Sequence, residues 1–139
     1  MSIFEKLGII LRYKEKVIKK GEFRGRVLEG VTSDYKLKMT ETKGEIILTN
    51  KRIIIIGTNP LGKRFFPDID FRSIYAIHEN KYGQLVIVLN FGTLFEAMVL
   101  KIDKVSEWIQ AIREQCVRYY KEKEERKDIR VKQKKNAEA

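Results

Sequence analysis

His78, Cys116 and the pair Asp68 and Asp70 are the residues whose types could run a reaction, and their numbers limit what that reaction is. With one histidine and one cysteine in the chain, a multi-histidine metal centre and a thiolate zinc site are both excluded. A Cys-His dyad needs Cys116, on a helix, to face Ile77-His78, on a strand. A histidine satisfied beside a strand and a cysteine buried in a helix face explain the same two residues more simply. Asp68 and Asp70 alternate, so they share one strand face, and the adjacent Pro67 suits them to a structural turn. Gly57, Gly62 and Gly92 do not make a phosphate-cradling loop. The chain is therefore expected to be non-catalytic, with no cofactor and no metal.

What the sequence offers instead is positive charge. Lysine and arginine total 29 against 19 acidic residues, a formal net charge of +10, which favours anionic partners. The first basic group is Lys19-Lys20-Gly21-Glu22-Phe23-Arg24-Gly25-Arg26. Lysine acts on phosphate as a point charge and arginine as a two-pronged donor, while the glycines permit close backbone approach. If the segment is a strand, only half of Lys19, Lys20, Arg24 and Arg26 share a face. Lys63 and Arg64, beside Pro60-Leu61-Gly62, extend the same rim, with Leu61 as an apolar insertion point. The second group is the C-terminal tail, where Lys121, Lys123, Arg126, Lys127 and Arg130 alternate with Glu122, Glu124, Glu125 and Asp128. Near an anionic leaflet each cation is worth about 1 kcal/mol, so several together hold a protein reversibly. Nucleic acid is not expected: the arrangement suited to base stacking is Tyr119-Tyr120 before the basic tail, and Tyr119 falls on a core stripe.

The elements that must position these groups are mostly strands. Gly44-Glu45-Ile46-Ile47-Leu48-Thr49-Asn50-Lys51-Arg52-Ile53-Ile54-Ile55-Ile56-Gly57 reads as a hairpin of two β-branched runs about a polar turn. Four consecutive isoleucines leave no polar face, so that strand must be covered on both sides. Val17-Ile18 and Phe23 to Leu28 are strand-like, and Tyr35, Leu37 and Met39 alternate as in a half-exposed strand. Beyond the hairpin come a short segment around Pro67, then strands over Ile74 to His78, Leu85 to Leu89 and Leu94 to Ile102, separated by glycine-containing turns. Asp103 stands as the N-cap of a helix whose face carries Val105, Trp108, Ile109, Ile112, Cys116 and Tyr119. Ser2 with Glu5 makes a capping-box pattern for a short N-terminal helix bearing Ile3, Phe4, Leu7, Ile10 and Leu11. Residues 1–14, 15–118 and 119–139 are the expected N-terminal helix, domain and basic helical or disordered tail.

This order of elements, with the hairpin text from Gly44 to Ile54, resembles the PH-like superfold, of the GRAM and bacterial PH-like type. The hairpin is similar to the signature Gly-x-hydrophobic-x-Leu-Thr-x-x-Arg-hydrophobic. Glu15-Lys16-Val17 resembles the opening strand of those domains, Phe66-Pro67-Asp68-Ile69 their Ile-Pro strand, and Trp108-Ile109 the tryptophan of the closing helix. The resemblance implies a mainly β fold with α: a bent antiparallel β-barrel of about seven strands closed by a C-terminal helix. It also implies that Thr49, Asn50, Arg52 and Trp108 build the fold, and that function sits on variable loops.

The function expected from charge and resemblance together is a binding module attached peripherally to acidic, phosphoinositide-like phospholipid surfaces by the basic rim and tail. The competing expectation is a protein-docking adaptor similar to the GLUE domains of the ESCRT machinery, with ubiquitin, an acidic protein or a complex subunit as partner. No apolar run is long enough to span a bilayer, and the N-terminus lacks a signal-peptide pattern. A cytoplasmic protein, peripheral at the inner membrane face, is the expected setting.

Overall fold

The computed structural model describes residues 8–138, with side chains described as far as residue 127. The strands are β1 (Val17–Val31), β2 (Leu37–Thr49), β3 (Arg52–Thr58), β4 (Arg64–Phe65), β5 (Asp68–Asp70), β6 (Ile74–Glu79), β7 (Leu85–Phe91) and β8 (Leu94–Ile102), followed by helix α1 (Val105–Glu138). A single 3-10 turn, Phe71–Ser73, joins β5 to β6. All pairings are antiparallel, in the order β4-β3-β2-β1-β8-β7-β6, and β5 lies along the same edge of β3 as β4. The two ends of this order, β4 and β6, are not bonded to each other, so the sheet is bent without being closed. Helix α1 packs against β6 and β7, and Arg113 donates from Nη2 to the carbonyl of Ile77 in β6 at 2.9 Å.

The stretch expected as two strand-like pieces and the alternating segment before the hairpin are two long strands, paired from Val17 opposite Thr49 to Val31 opposite Leu37. Strands of this length must coil to enclose a core, and two glycines let them. A Cβ on Gly25 would stand 2.0 Å from the Val99 carbonyl oxygen, and one on Gly44 would stand 1.9 Å from that of Ile56. Only a residue without a side chain allows such approach.

Alternation then sorts the faces. Phe23, Val27, Ile46, Leu48, Ile53, Ile55, Leu85, Ile87, Met98 and Leu100 point inward, joined by Val105, Trp108 and Ile112 from α1 in one core. Ile54 points the other way, opposite Ile47. Both are nevertheless fully buried, as the unbroken isoleucine run requires. The chain before β1 is tied to this second face: Arg12 reaches Asp68 and Asp70, and Arg52 donates to the Ile10 carbonyl at 3.0 Å.

Two expectations change here. Of the N-terminal helix proposed for residues 1–14, the part before Gly8 lies outside the described residues. From Gly8 to Lys14 the chain is turn and irregular structure, with the Ile10 carbonyl taken by Arg52 instead of a helical N–H. Asp103 does not cap α1, which begins at Val105 with Lys104 at φ 58° accepting from Glu107 and Trp108 N–H groups. The strand turns into the helix through that left-handed residue, leaving Asp103 before the first turn. Along α1 the stripe holds, and Gln115, which a hydrophobic reading passes over, is buried with it.

Candidate functional site

The hairpin signature builds structure. Thr49 Oγ1 donates to Glu15 Oε2 at 2.7 Å and accepts the N–H groups of Lys51 and Arg52, each at 3.0 Å. Arg52 grips Glu15 with Nε and Nη2, both at 3.0 Å, and Asp68 with Nη1 at 2.6 Å. Asn50 accepts from the Lys16 N–H at 2.7 Å and donates to the Lys14 carbonyl at 3.2 Å. These residues tie the entry of β1 to the β2–β3 turn. Burial alone would raise the Glu15 pKa, but hydrogen bonds from Arg52 and Thr49 outweigh it and hold the carboxyl below its ordinary value.

The basic segment expected to form one rim is divided by the strand it lies in. Lys19 is on the core side of β1, 3.7 Å from Glu107 of α1 and over the Trp108 ring at 5.3 Å. Arg26 pairs with Glu96 at 3.2 Å. Lys20 and Arg24 are exposed on the outer face, where Arg24 stands opposite Lys43 of β2 and Lys101 of β8. The glycines between them serve packing: Gly21 lies against Trp108 and Gly25 against β8.

Lys63 and Arg64 fall elsewhere, towards the end of the sheet that carries both the β1–β2 and the β3–β4 connections. Antiparallel pairing of β1, β2 and β3 puts both connections at that end, and Asn59, Pro60 and Leu61 share a groove with Lys38 to Glu41 at the start of β2. Asn59 shapes the second loop by accepting the N–H groups of Leu61 and Lys63, each at 3.0 Å. Thr32 shapes the first, its hydroxyl accepting the Lys36 N–H and its carbonyl the Tyr35 N–H. The loops hold apolar side chains out into water: Leu61 is 93% and Tyr35 81% exposed, with Val31 at 59% below them. Lys36, Lys63 and Arg64 ring these tips, and none has an ion-pair partner among the described residues. Lys38 is held by Glu29 at 2.9 Å.

Solved structures with this arrangement are known. The Vps36 N-terminal PH domain superposes with a TM-score of 0.58 at 15% identity, covering 81% of this chain and 86% of that one. The fold is PH-like. The C-terminal domain of an unknown protein from Leishmania infantum superposes at a TM-score of 0.52 and 13% identity, over 82% of this chain and 91% of that one. No family model matches the chain, and no curated protein matches it. In this PH-like frame, the segment Lys19 to Arg26 is part of a strand, and the first inter-strand loop is Thr32 to Lys36.

The remaining candidates are placed as follows. Lys121, Lys123, Arg126 and Lys127 lie exposed on α1, and the side chain of Arg130 lies outside the described residues. His78 is exposed on β6, facing away from the core. Cys116 packs at the core edge, where burial pushes its thiol up to about 11. The sheet separates them, so they form no dyad. Among the described residues no helix is long and apolar enough to cross a membrane. Sequence reading missed Tyr35 and Lys36 as loop-tip residues, and Lys43 and Lys101 as neighbours of Arg24. The first two were legible as a Ser-Asp-Tyr-Lys turn between alternating segments, whereas the last two depend on strand register.

Proposed function

We propose that this chain is a non-catalytic binding module that attaches peripherally to acidic phospholipid surfaces through its β1–β2 and β3–β4 loops. The observation that carries the reading is the pairing of two protruding apolar tips, Leu61 and Tyr35, with the cations Lys36, Lys63 and Arg64, which have no ion-pair partner among the described residues. A leucine held in water at a loop tip gains roughly 1.5–3 kcal/mol when buried in a nonpolar layer. A tyrosine suits the headgroup boundary, with its ring in the apolar layer and its hydroxyl wet. Each cation adds about 1 kcal/mol against an anionic leaflet, and Lys121, Lys123, Arg126 and Lys127 of α1 extend the basic surface. The division of labour is that charge selects the surface and the tips hold it.

The test is cosedimentation with neutral and anionic vesicles over a salt series. The full chain should bind anionic vesicles alone at low salt, and binding should weaken as salt rises. Leu61→Asp should weaken it about tenfold at fixed salt, and Lys63→Glu with Arg64→Glu should weaken low-salt binding and flatten its salt dependence. Leu61, Lys63 and Arg64 are exposed, so these variants keep their fold. Absence of binding at low salt would refute the reading and favour a protein-docking adaptor, and so would binding indifferent to Leu61.

A further inference from the structure

The pairing of β2 with β3 stops short of the loops. Its register runs from Leu48 opposite Ile53 to Glu45 opposite Ile56, and beyond that point side chains hold the β3–β4 connection against β2. Thr42 Oγ1 makes one such link, donating to the Thr58 carbonyl at 2.9 Å and accepting the Thr58 N–H at 3.0 Å. The other comes from β1. Leu28 stands opposite Met39 and Gly30 opposite Lys38, so two steps along β1 match one along β2, and Glu29 is an extra residue with no ladder partner. A bulge of this kind re-aims the side chain that it inserts. The Glu29 side chain is 15% exposed. Its Oε1 accepts from the buried Thr40 hydroxyl and its Oε2 pairs with Lys38, each at 2.9 Å. Hydrogen bonds from Lys38, Thr40 and Asn59 hold the carboxyl below its ordinary value, against the burial that would raise it. Asn59 is the residue whose Oδ1 takes the N–H groups of Leu61 and Lys63, which leaves its amide nitrogen for Glu29.

We propose that Glu29 is a positioning residue of the attachment site: through Asn59 it fixes the Leu61 loop against the root of the β1–β2 loop and so holds the two apolar tips as one body. This role rests on bilayer attachment through these loops. A tip on a loose connection gives up its freedom on binding, so part of the gain from burying Leu61 is spent in ordering it. A tip already fixed keeps that gain. Charge does not account for Glu29 at this place, because a carboxylate beside Lys36, Lys38 and Lys63 weakens attraction to an anionic leaflet.

Two measurements on the full chain test the role. Without lipid, backbone amide relaxation should give Leu61, Gly62 and Lys63 order parameters near about 0.85 in the wild type and below about 0.6 in Glu29→Ala, with the Thr49 to Arg52 turn unchanged. With anionic vesicles, a double-mutant cycle should show Leu61→Asp costing about tenfold in the wild type and about threefold in Glu29→Ala. The charge gained on removing Glu29 is common to both arms of that background and cancels. Glu29→Gln keeps an acceptor oxygen without the charge, and should fall between wild type and Glu29→Ala in both readouts. Undisturbed core resonances establish that each variant is folded. Unchanged loop order in Glu29→Ala overturns the proposal, as does a tenfold cost of Leu61→Asp in both backgrounds or a Glu29→Gln loop as loose as that of Glu29→Ala. If Leu61→Asp costs nothing in the wild type, bilayer attachment is what fails, and the relaxation measurement alone then decides whether Glu29 holds the loop.

Discussion

Arg52 shows how much one side chain settles in this chain. Its guanidinium is buried with the Glu15 carboxylate, and further oxygens from Asp68 and Ile10 complete its contacts. A buried pair of this kind is a weak source of net stability, yet removing one partner leaves the other charged and dry. Arg52→Ala is therefore expected to cost roughly 3–5 kcal/mol, read as a lowered urea midpoint. Arg52→Lys should recover little, because an ammonium cannot grip both carboxylate oxygens of Glu15 while holding Asp68. The same carboxylate sets an acid limit. Its folded pKa lies below 4.5, so the stabilisation is fully present above that value and drains away as pH falls through the folded pKa. Urea midpoints measured from pH 6 downward should be flat at first and then decline below about pH 4.5, and the Glu15→Gln variant should lack this part of the decline.

At the scale of elements, two glycines govern the curvature of β1 and β2. Gly44→Ala would force a methyl into the Ile56 carbonyl, and an overpacking cost of about 1–3 kcal/mol is expected, visible as a lower thermal midpoint with the hairpin amides exchanging faster. The elements themselves were largely readable from the residues. The isoleucine run at Ile53 to Ile56 and the dense apolar run at Leu85 to Leu89 read as strands covered on both faces, and the three-and-four spacing from Val105 to Tyr119 carries the helical period that the core enforces. Lys19 to Arg26 was harder, since glycine and charge make it resemble a loop. Phe23 to Arg26 already read as strand-like, but for Lys19 to Glu22 it is the pairing with Glu45 to Leu48 that shows a strand. The neighbours of Arg24 were hidden for the same reason: Lys43 and Lys101 are 58 residues apart in sequence, and register alone brings them to it. Leu61, by contrast, sits in an Asn-Pro-Leu-Gly turn whose chemistry already places it at a tip.

For the whole molecule, the division between domain and tail has a measurable counterpart. From Lys121 to Lys127 every side chain of α1 is exposed, so ending the chain after Tyr120 should change unfolding free energy by less than about 1 kcal/mol. The same truncation should reduce vesicle binding at low salt, and the two measurements together separate folding from surface attraction. The open sheet has a further consequence. A sheet that does not close leaves strand edges on which another chain can add a strand and start an endless ribbon. One edge is made of β4 and β5, two and three residues long, too short to template such growth. The other is β6, and there Arg113 occupies the Ile77 carbonyl from the flank, placing a fixed positive charge where an added strand would have to lie. Arg113 thus acts as a stopper against self-propagation, a role that concerns what the protein avoids becoming in a crowded solution.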